Sequence, residues 1–150
     1  GTTNGMDLSV ITEIAEYCEK KMGFDIHPRT PFVGKNFNVT KAGIHADGML
    51  KDQEIYNIFD TEKILGRKPR VIVDSFSGLA GIAFWINSYY NLPTEATVDK
   101  KSDTVAKIKE MVDKEYAELR TTCISDGELD VMLQLANPQL HAQCVSYMNA

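Results

Sequence analysis

Cysteine is scarce in this chain. Cys18, Cys123 and Cys144 are the only three among 150 residues, and no two form a CxxC pair. An odd, scattered set without metal-ligand spacing excludes a disulfide framework and reads as reduced thiols in a cytoplasmic protein. Long apolar runs are missing too. The most apolar stretch, Leu79 to Ile86, is far short of the ~20 residues that a membrane-spanning helix needs. With no secretory signal visible, the glycosylation-like Asn38-Val39-Thr40 reads as a coincidence. Positive charge is outnumbered, 16 Lys and Arg against 21 Asp and Glu, for a net charge of −5. Nucleic acid and anionic membrane both call for a basic footprint, so neither is expected as a partner. Internal repeats and low-complexity tracts are absent. With 43% hydrophobic and 25% charged residues the chain has the composition of a folded globular protein, long enough for one domain or two small ones. It opens on Gly1 rather than Met, so a piece cut from a longer protein is one expectation.

The common catalytic signatures are also lacking. There is no GxGxxG, GxSxG or HExxH, and Gly34-Lys35 leads into Asn36 rather than the Ser or Thr of a phosphate loop. The histidines are His27, His45 and His141. None lies two or four positions from another, so no local metal-ligand pair exists and no metal site is expected in this chain.

What is present is mostly helical periodicity. Leu8, Ile11, Ile14, Ala15, Cys18 and Met22 recur at helical spacing, with Asp7 as a candidate cap, Gly23 as the stop and Cys18 placed towards a core. Pro28, Pro31 and Gly34 make 23–34 an ordered connector. Phe37 and Val39 alternate with polar residues, a weak strand signal, and 23–60 as a whole reads as irregular or extended. Thr61–Leu65 is a short helix closed by Gly66, and the Val71-Ile72-Val73 run after Pro69 is a short strand or connector. Further helices are expected over about 77–91, over 102–119, and from the Ser125-x-x-Glu128 capping box to Ala136, where Pro138 follows. The fold class is therefore mostly α.

His45 stands between glycines in Gly43-Ile44-His45-Ala46-Asp47-Gly48, and Tyr56 follows eleven positions later. A histidine held at a cleft edge suits proton transfer, and a tyrosine hydroxyl can donate to a developing oxyanion. Spacing alone leaves the plainer alternative open: an ordinary loop histidine and a half-buried aromatic.

Longer matches change the weighting. Pro31-Phe32-Val33-Gly34-Lys35-Asn36, then Lys41 through Lys51, then Glu54-Ile55-Tyr56 closely resemble the 2-isopropylmalate/homocitrate synthase family of the DRE-TIM metallolyase superfamily. Within it they are most similar to the clostridial-type branch of homocitrate and Re-face citrate synthases. The likeness runs from Gly1–Met22 to about Leu92. It implies an acyltransferase that joins the methyl carbon of acetyl-CoA to the ketone of a 2-oxo acid and then hydrolyses the CoA thioester. It also implies a (β/α)8 barrel holding a divalent metal (Mg, Mn or Zn) that polarises the 2-oxo acid. The barrel's Asp and His-x-His ligand motifs are absent from this sequence.

The chain then corresponds to helical accessory subdomains that follow the barrel. Its expected parts are a barrel-associated helix and connector (1–30), a first linker subdomain with the His/Tyr element (31–73), a helical second subdomain (74–137) and a tail (138–150). By resemblance, His45 is the catalytic proton-transfer residue and Tyr56 its hydrogen-bonding partner at the thioester or carbonyl oxygen. Asp47 and Lys51 are candidate substrate or CoA contacts, and Gly43 and Gly48 are structural glycines of the site loop. The element is expected to reach a barrel within a homodimer. The chain alone is expected to be inactive, and the 2-oxo acid is selected by the absent barrel. Lys63, Arg67, Lys68 and Arg70 form a small basic cluster, either a solvated surface or an attractor for CoA phosphates. A non-catalytic helical dimerisation or interaction module is the competing reading.

Overall fold

The computed structural model describes residues 4–41, 48 and 59–148. Helices dominate them. In chain order the elements are α1 (Ile11–Met22), β1 (Val39–Thr40), α2 (Thr61–Leu65), β2 (Arg70–Val71), α3 (Leu79–Tyr89), a 3-10 turn (Thr94–Ala96), α4 (Asp103–Ala117), α5 (Asp126–Ala136) and α6 (Pro138–Met148). None of these helices is long and apolar enough to cross a membrane.

Local chemistry explains most boundaries. Gly23 ends α1 with a left-handed backbone (φ 68°) while its N–H donates to the Glu19 carbonyl. Ser102 caps α4 by accepting from the Val105 N–H. The Ser125/Glu128 capping box is complete in both directions. Asp7 does not cap α1. It accepts from the Ser9 N–H and hydroxyl at 2.9 and 2.6 Å, and Val10 begins the helix without a side-chain cap. Leu119, the last residue of the helix expected over 102–119, turns left-handed (φ 68°) beyond the end of α4 and is exposed.

The stretch expected to be a tail is α6. Pro138 both stops α5 and opens the next helix, because a missing N–H and a fixed φ suit the first helical position. Asn137 holds the junction: its side chain accepts from the Leu140 N–H and donates to Thr104 Oγ1, both at 3.0 Å.

Helices α3 to α6 pack each on the next, and α3 also lies against β2. Ile82, Ile86, Ile108, Val112, Leu129 and Leu133 fill the centre of this bundle. Cys144 joins the core, where burial pushes its thiol pKa up. The Tyr90 hydroxyl donates to Asp130, and His141 Nε2 meets the same carboxylate at 3.0 Å, so α3, α5 and α6 share one polar junction. Burial opposes ionisation of Asp130, but the Tyr90 and His141 hydrogen bonds outweigh it and keep the pKa below the usual value. By contrast α1 buries none of its residues, and Cys18 is half-buried rather than in the core as expected. Of the α1 apolar stripe, Leu8, Ile11 and Ala15 are half-buried and Ile14 and Met22 are exposed.

Arg120 closes the turn between α4 and α5. Its guanidinium grips both Glu128 oxygens, at 2.6 and 2.8 Å. That grip and the Ser125 hydrogen bonds pull the Glu128 pKa from 4.5 to about 2. A folded-state pKa below the unfolded one stabilises fully above the unfolded value and is lost as pH falls through the folded one. Glu128→Gln is therefore expected to lower Tm by about 2–4 °C at neutral pH. The gap from wild type should close between pH 4.5 and about 2. A gap that stays constant down to that pH in thermal melts would contradict the assignment.

Candidate functional site

Of the residues singled out in the sequence, His45, Tyr56, Asp47, Lys51 and Gly43 lie outside the described residues. Gly48 is described only as a half-buried helical residue. What the structure does show is the frame at each end of that segment. On the entry side, β1 pairs in parallel with β2, Val39 opposite Arg70 and Thr40 opposite Val71. Arg29 donates to the Asn36 and Val39 carbonyls at 3.1 and 2.8 Å. Lys41 Nζ points to Cys123 Sγ at 3.5 Å. On the exit side, Phe59 stacks on Phe32 with ring centroids 5.9 Å apart, and Asp60 caps α2 through the Lys63 N–H.

Both ends thus rest on the connector that contains Pro31-Phe32-Val33-Gly34. This connector doubles back on itself: the Asn36 N–H reaches the Pro28 carbonyl at 2.7 Å and the Gly34 N–H reaches Thr30 at 2.9 Å. Arg67 locks it. The guanidinium donates to the carbonyls of Phe32, Gly34 and Lys35 at 3.0–3.2 Å and lies 4.7 Å from the Phe37 ring. Burial lowers the Arg67 pKa from its ordinary value, although a guanidinium remains charged. Five donors in a fixed fork let one side chain satisfy three loop carbonyls.

Beside this clamp lies a groove of about 430 Å³. Lys35, Arg67, Lys68 and Arg70 supply its cationic wall, and Trp85 and Tyr89 its aromatic part. The two rings are stacked at 4.8 Å with an 18° tilt. Asp126, at the first position of α5, accepts from Trp85 Nε1 at 2.9 Å and from Arg70 at 3.0 Å, so its charge is already paired. Lys68 is 3.4 Å from Glu62, with both side chains half-exposed. Lys35 has no ion pair among the described residues.

The basic cluster read from the sequence is therefore only partly one site. Arg67, Lys68 and Arg70 line the groove, Lys63 does not, and Lys35 joins from the connector. The aromatic contribution was missed, although the i,i+4 spacing of Trp85 and Tyr89 was a usable signal. Chemically, this is a concavity with a cationic wall whose one carboxylate, Asp126, is already paired. No group of three or more His, Cys, Asp or Glu among the described residues could hold a metal ion. The described part does not fit a metal centre.

Comparison with known proteins places these features in context. Citrate (Re)-synthase of Clostridium kluyveri is 51% identical over 140 residues, which is 93% of this chain and 31% of that protein. The Citrate (Re)-synthase of Syntrophus aciditrophicus is 46% identical over 93% of this chain and 22% of its own length. 2-Isopropylmalate synthase 2 of Caldanaerobacter subterraneus subsp. tengcongensis is 30% identical over 83% of this chain and 33% of its own length. The chain thus spans a third or less of each of these relatives. A family model described as homocitrate synthase post-HMGL domain-like matches residues 32–116, a stretch that includes Arg67 and the connector from Phe32 on, the His45–Tyr56 element, helices α2 and α3 and nearly all of α4. That match takes in more than half of the chain, which belongs to the homocitrate synthase post-HMGL domain-like family.

Proposed function

We propose that this chain is the post-barrel part of an acetyl-CoA:2-oxo acid condensing synthase and that it supplies His45 and Tyr56 to the reaction. One observation carries this reading above the others: the family match runs through the whole Gly43–Tyr56 motif. The clamp supports it, because a connector folded on itself and locked by Arg67 offers fixed points at Lys41 and Phe59. The part-covered α1 stripe supports it too, since Ile14 and Met22 stay exposed and an amphipathic helix is stabilised by covering its apolar face. A barrel preceding the chain would do that.

In this mechanism His45 removes a proton from the acetyl methyl group of acetyl-CoA. An imidazole needs little perturbation to act as a base near neutral pH. The resulting enolate carbon attacks the keto carbon of the 2-oxo acid, forming the carbon–carbon bond as the C=O π pair moves onto oxygen, and that alkoxide then takes up a proton. Tyr56 donates a hydrogen bond to the thioester oxygen as negative charge builds there. Water then cleaves the thioester and CoA leaves. Asp47 and Lys51 contact substrate or CoA. Oxaloacetate is the first 2-oxo acid to try, because citrate less one acetyl unit is oxaloacetate and two of the relatives, 51% and 46% identical, are named Citrate (Re)-synthase. The divalent metal, the homodimer and the cytoplasmic setting belong to the same proposal.

The test compares lengths of the same protein. The 150-residue chain is expected to release no CoA from acetyl-CoA with any 2-oxo acid and to bind no stoichiometric Mg, Mn or Zn by calorimetry. The protein extended through its upstream barrel is expected to do both. Turnover or tight metal binding by the short chain would contradict the proposal.

A further inference from the structure

We propose that Lys41 and Cys123 form a modification site, at which hydrogen peroxide joins the two side chains in a covalent sulfur–nitrogen bridge. Lys41 Nζ stands 3.5 Å from Cys123 Sγ, although the two residues are 82 positions apart in sequence. Cys144 is buried in the bundle core and Cys18 lies half-buried on α1. Cys123 is half-buried too, and among the described residues it is the cysteine that meets a lysine amine.

Backbone pairing sets this approach. The Ile72 N–H donates to the Thr40 carbonyl at 2.9 Å, and the Ile124 N–H donates to the Val73 carbonyl at 3.0 Å. Lys41 and Cys123 are thus each one residue away from a hydrogen bond to the same stretch, Ile72-Val73. Val73 and Ile124 are buried, and Arg120 holds the Cys123 carbonyl at 2.8 Å. Only the side-chain ends are left to adjust, and the flexible four-carbon stem of a lysine can close the remaining gap. Lys41 is exposed and the thiol is partly so, which lets a small oxidant reach the pair.

The chemistry takes two steps. The Cys123 thiolate attacks one oxygen of hydrogen peroxide, forming an S–O bond as the O–O bond breaks. The sulfur gives up two electrons, and the departing hydroxide becomes water. The unprotonated Lys41 amine then attacks the sulfenic sulfur. An N–S bond forms, the S–O bond breaks, and the second hydroxide takes the proton that the nitrogen sheds. One thiol, one amine and one peroxide give one sulfenamide and two waters. Added thiol reverses the link: it attacks the sulfur, frees the amine and leaves a disulfide that a second thiol reduces.

The bridge ties residue 41, four positions before His45, to the turn between α4 and α5. Its bearing on turnover rests on the condensation reading. The bridge itself does not, and the experiment reads the bridge alone.

The 150-residue chain is treated with hydrogen peroxide at mildly alkaline pH, where a larger share of lysine is the free amine. It is then digested without reductant and its peptides are weighed by mass spectrometry. The expected product is the Lys41 and Cys123 peptides joined with loss of two hydrogens, and separated again by dithiothreitol. Closing a span of 82 residues constrains the unfolded chain, so the oxidised protein should melt higher by about 5 °C or more until dithiothreitol is added. Lys41→Met and Cys123→Ser should each lower the yield of joined peptides at least tenfold, while Cys18→Ser and Lys107→Met keep it. In Lys41→Met the Cys123 thiol should instead climb to sulfinic and sulfonic acid. Oxidised wild type without joined peptides would overturn the proposal, whether Cys123 has gained oxygens or stayed a thiol. So would an equal yield from the chain unfolded in urea, or a wild-type yield of cross-linked Cys123 in Lys41→Met.

Discussion

His45→Ala in the complete synthase is expected to lower kcat by about 10²–10⁴, the usual contribution of a positioned general acid–base. The KM for the 2-oxo acid should change little, because that substrate is held by the barrel. Exchange of the acetyl methyl protons with solvent should fall together with turnover. Tyr56→Phe should cost less, on the order of 10–10³, since it removes one donor to the developing oxyanion. A histidine that only packs against its loop makes the opposite forecast: an earlier melt with near-normal kcat in the folded remainder. Thermal unfolding and steady-state kinetics on one sample separate the two. A variant that melts early yet turns over within a few-fold of wild type would refute the catalytic role.

Gly34→Ala is expected to have the largest structural effect. A Cβ at Gly34 would stand 2.4 Å from the Pro28 carbonyl oxygen and 2.7 Å from both Pro28 C and Thr30 N. All three are backbone atoms of the doubled-back connector, so no side chain can swing aside. Relief would mean giving up the Gly34–Thr30 and Asn36–Pro28 hydrogen bonds and displacing a carbonyl that Arg67 holds. Overpacking of this kind costs typically 1–3 kcal/mol, and at about 3 kcal/mol the Tm of a chain this long falls by roughly 6–12 °C. Activity of the complete protein should fall as well, because the connector sets both ends of the His45 element. Gly23→Ala is the control. Its φ of 68° is unfavourable for a side chain, but the space is open, so the expected cost is only about 1–2 kcal/mol. A Gly34→Ala protein that melts with wild type would show that the connector can yield.

Much of the fold was legible because single residues dictate local geometry. Gly23 and Gly66 stop helices with left-handed backbones, and Ser102 and Ser125 start them with side-chain caps. Helix α6 was missed because Pro138 carries two meanings, a stop for one helix and a first residue for the next. Asp7 misled because an Asp can satisfy a nearby turn as readily as a helix N-terminus, and Ser9 lay two residues away. The groove was legible only in part. Its basic residues cluster between 67 and 70, but Lys35 and the aromatic pair arrive from elements distant in sequence. The β1–β2 pairing, the Arg67 clamp and the packing of α3 on β2 bring them together. The His45 element was the reverse case: its motif is specific in sequence, and all its residues but Gly48 lie outside those the structure describes.

The central claim is most directly tested by CoA release in the complete protein, wild type and His45→Ala side by side. Acetyl-CoA is offered with pyruvate, oxaloacetate, 2-oxoglutarate and 2-oxoisovalerate in turn. The account predicts CoA release that depends on one of these acids, oxaloacetate first, with kcat reduced at least a hundredfold in His45→Ala and the KM for that acid unchanged. Wild type that releases no CoA with any of the four, or His45→Ala that retains wild-type kcat, would contradict it.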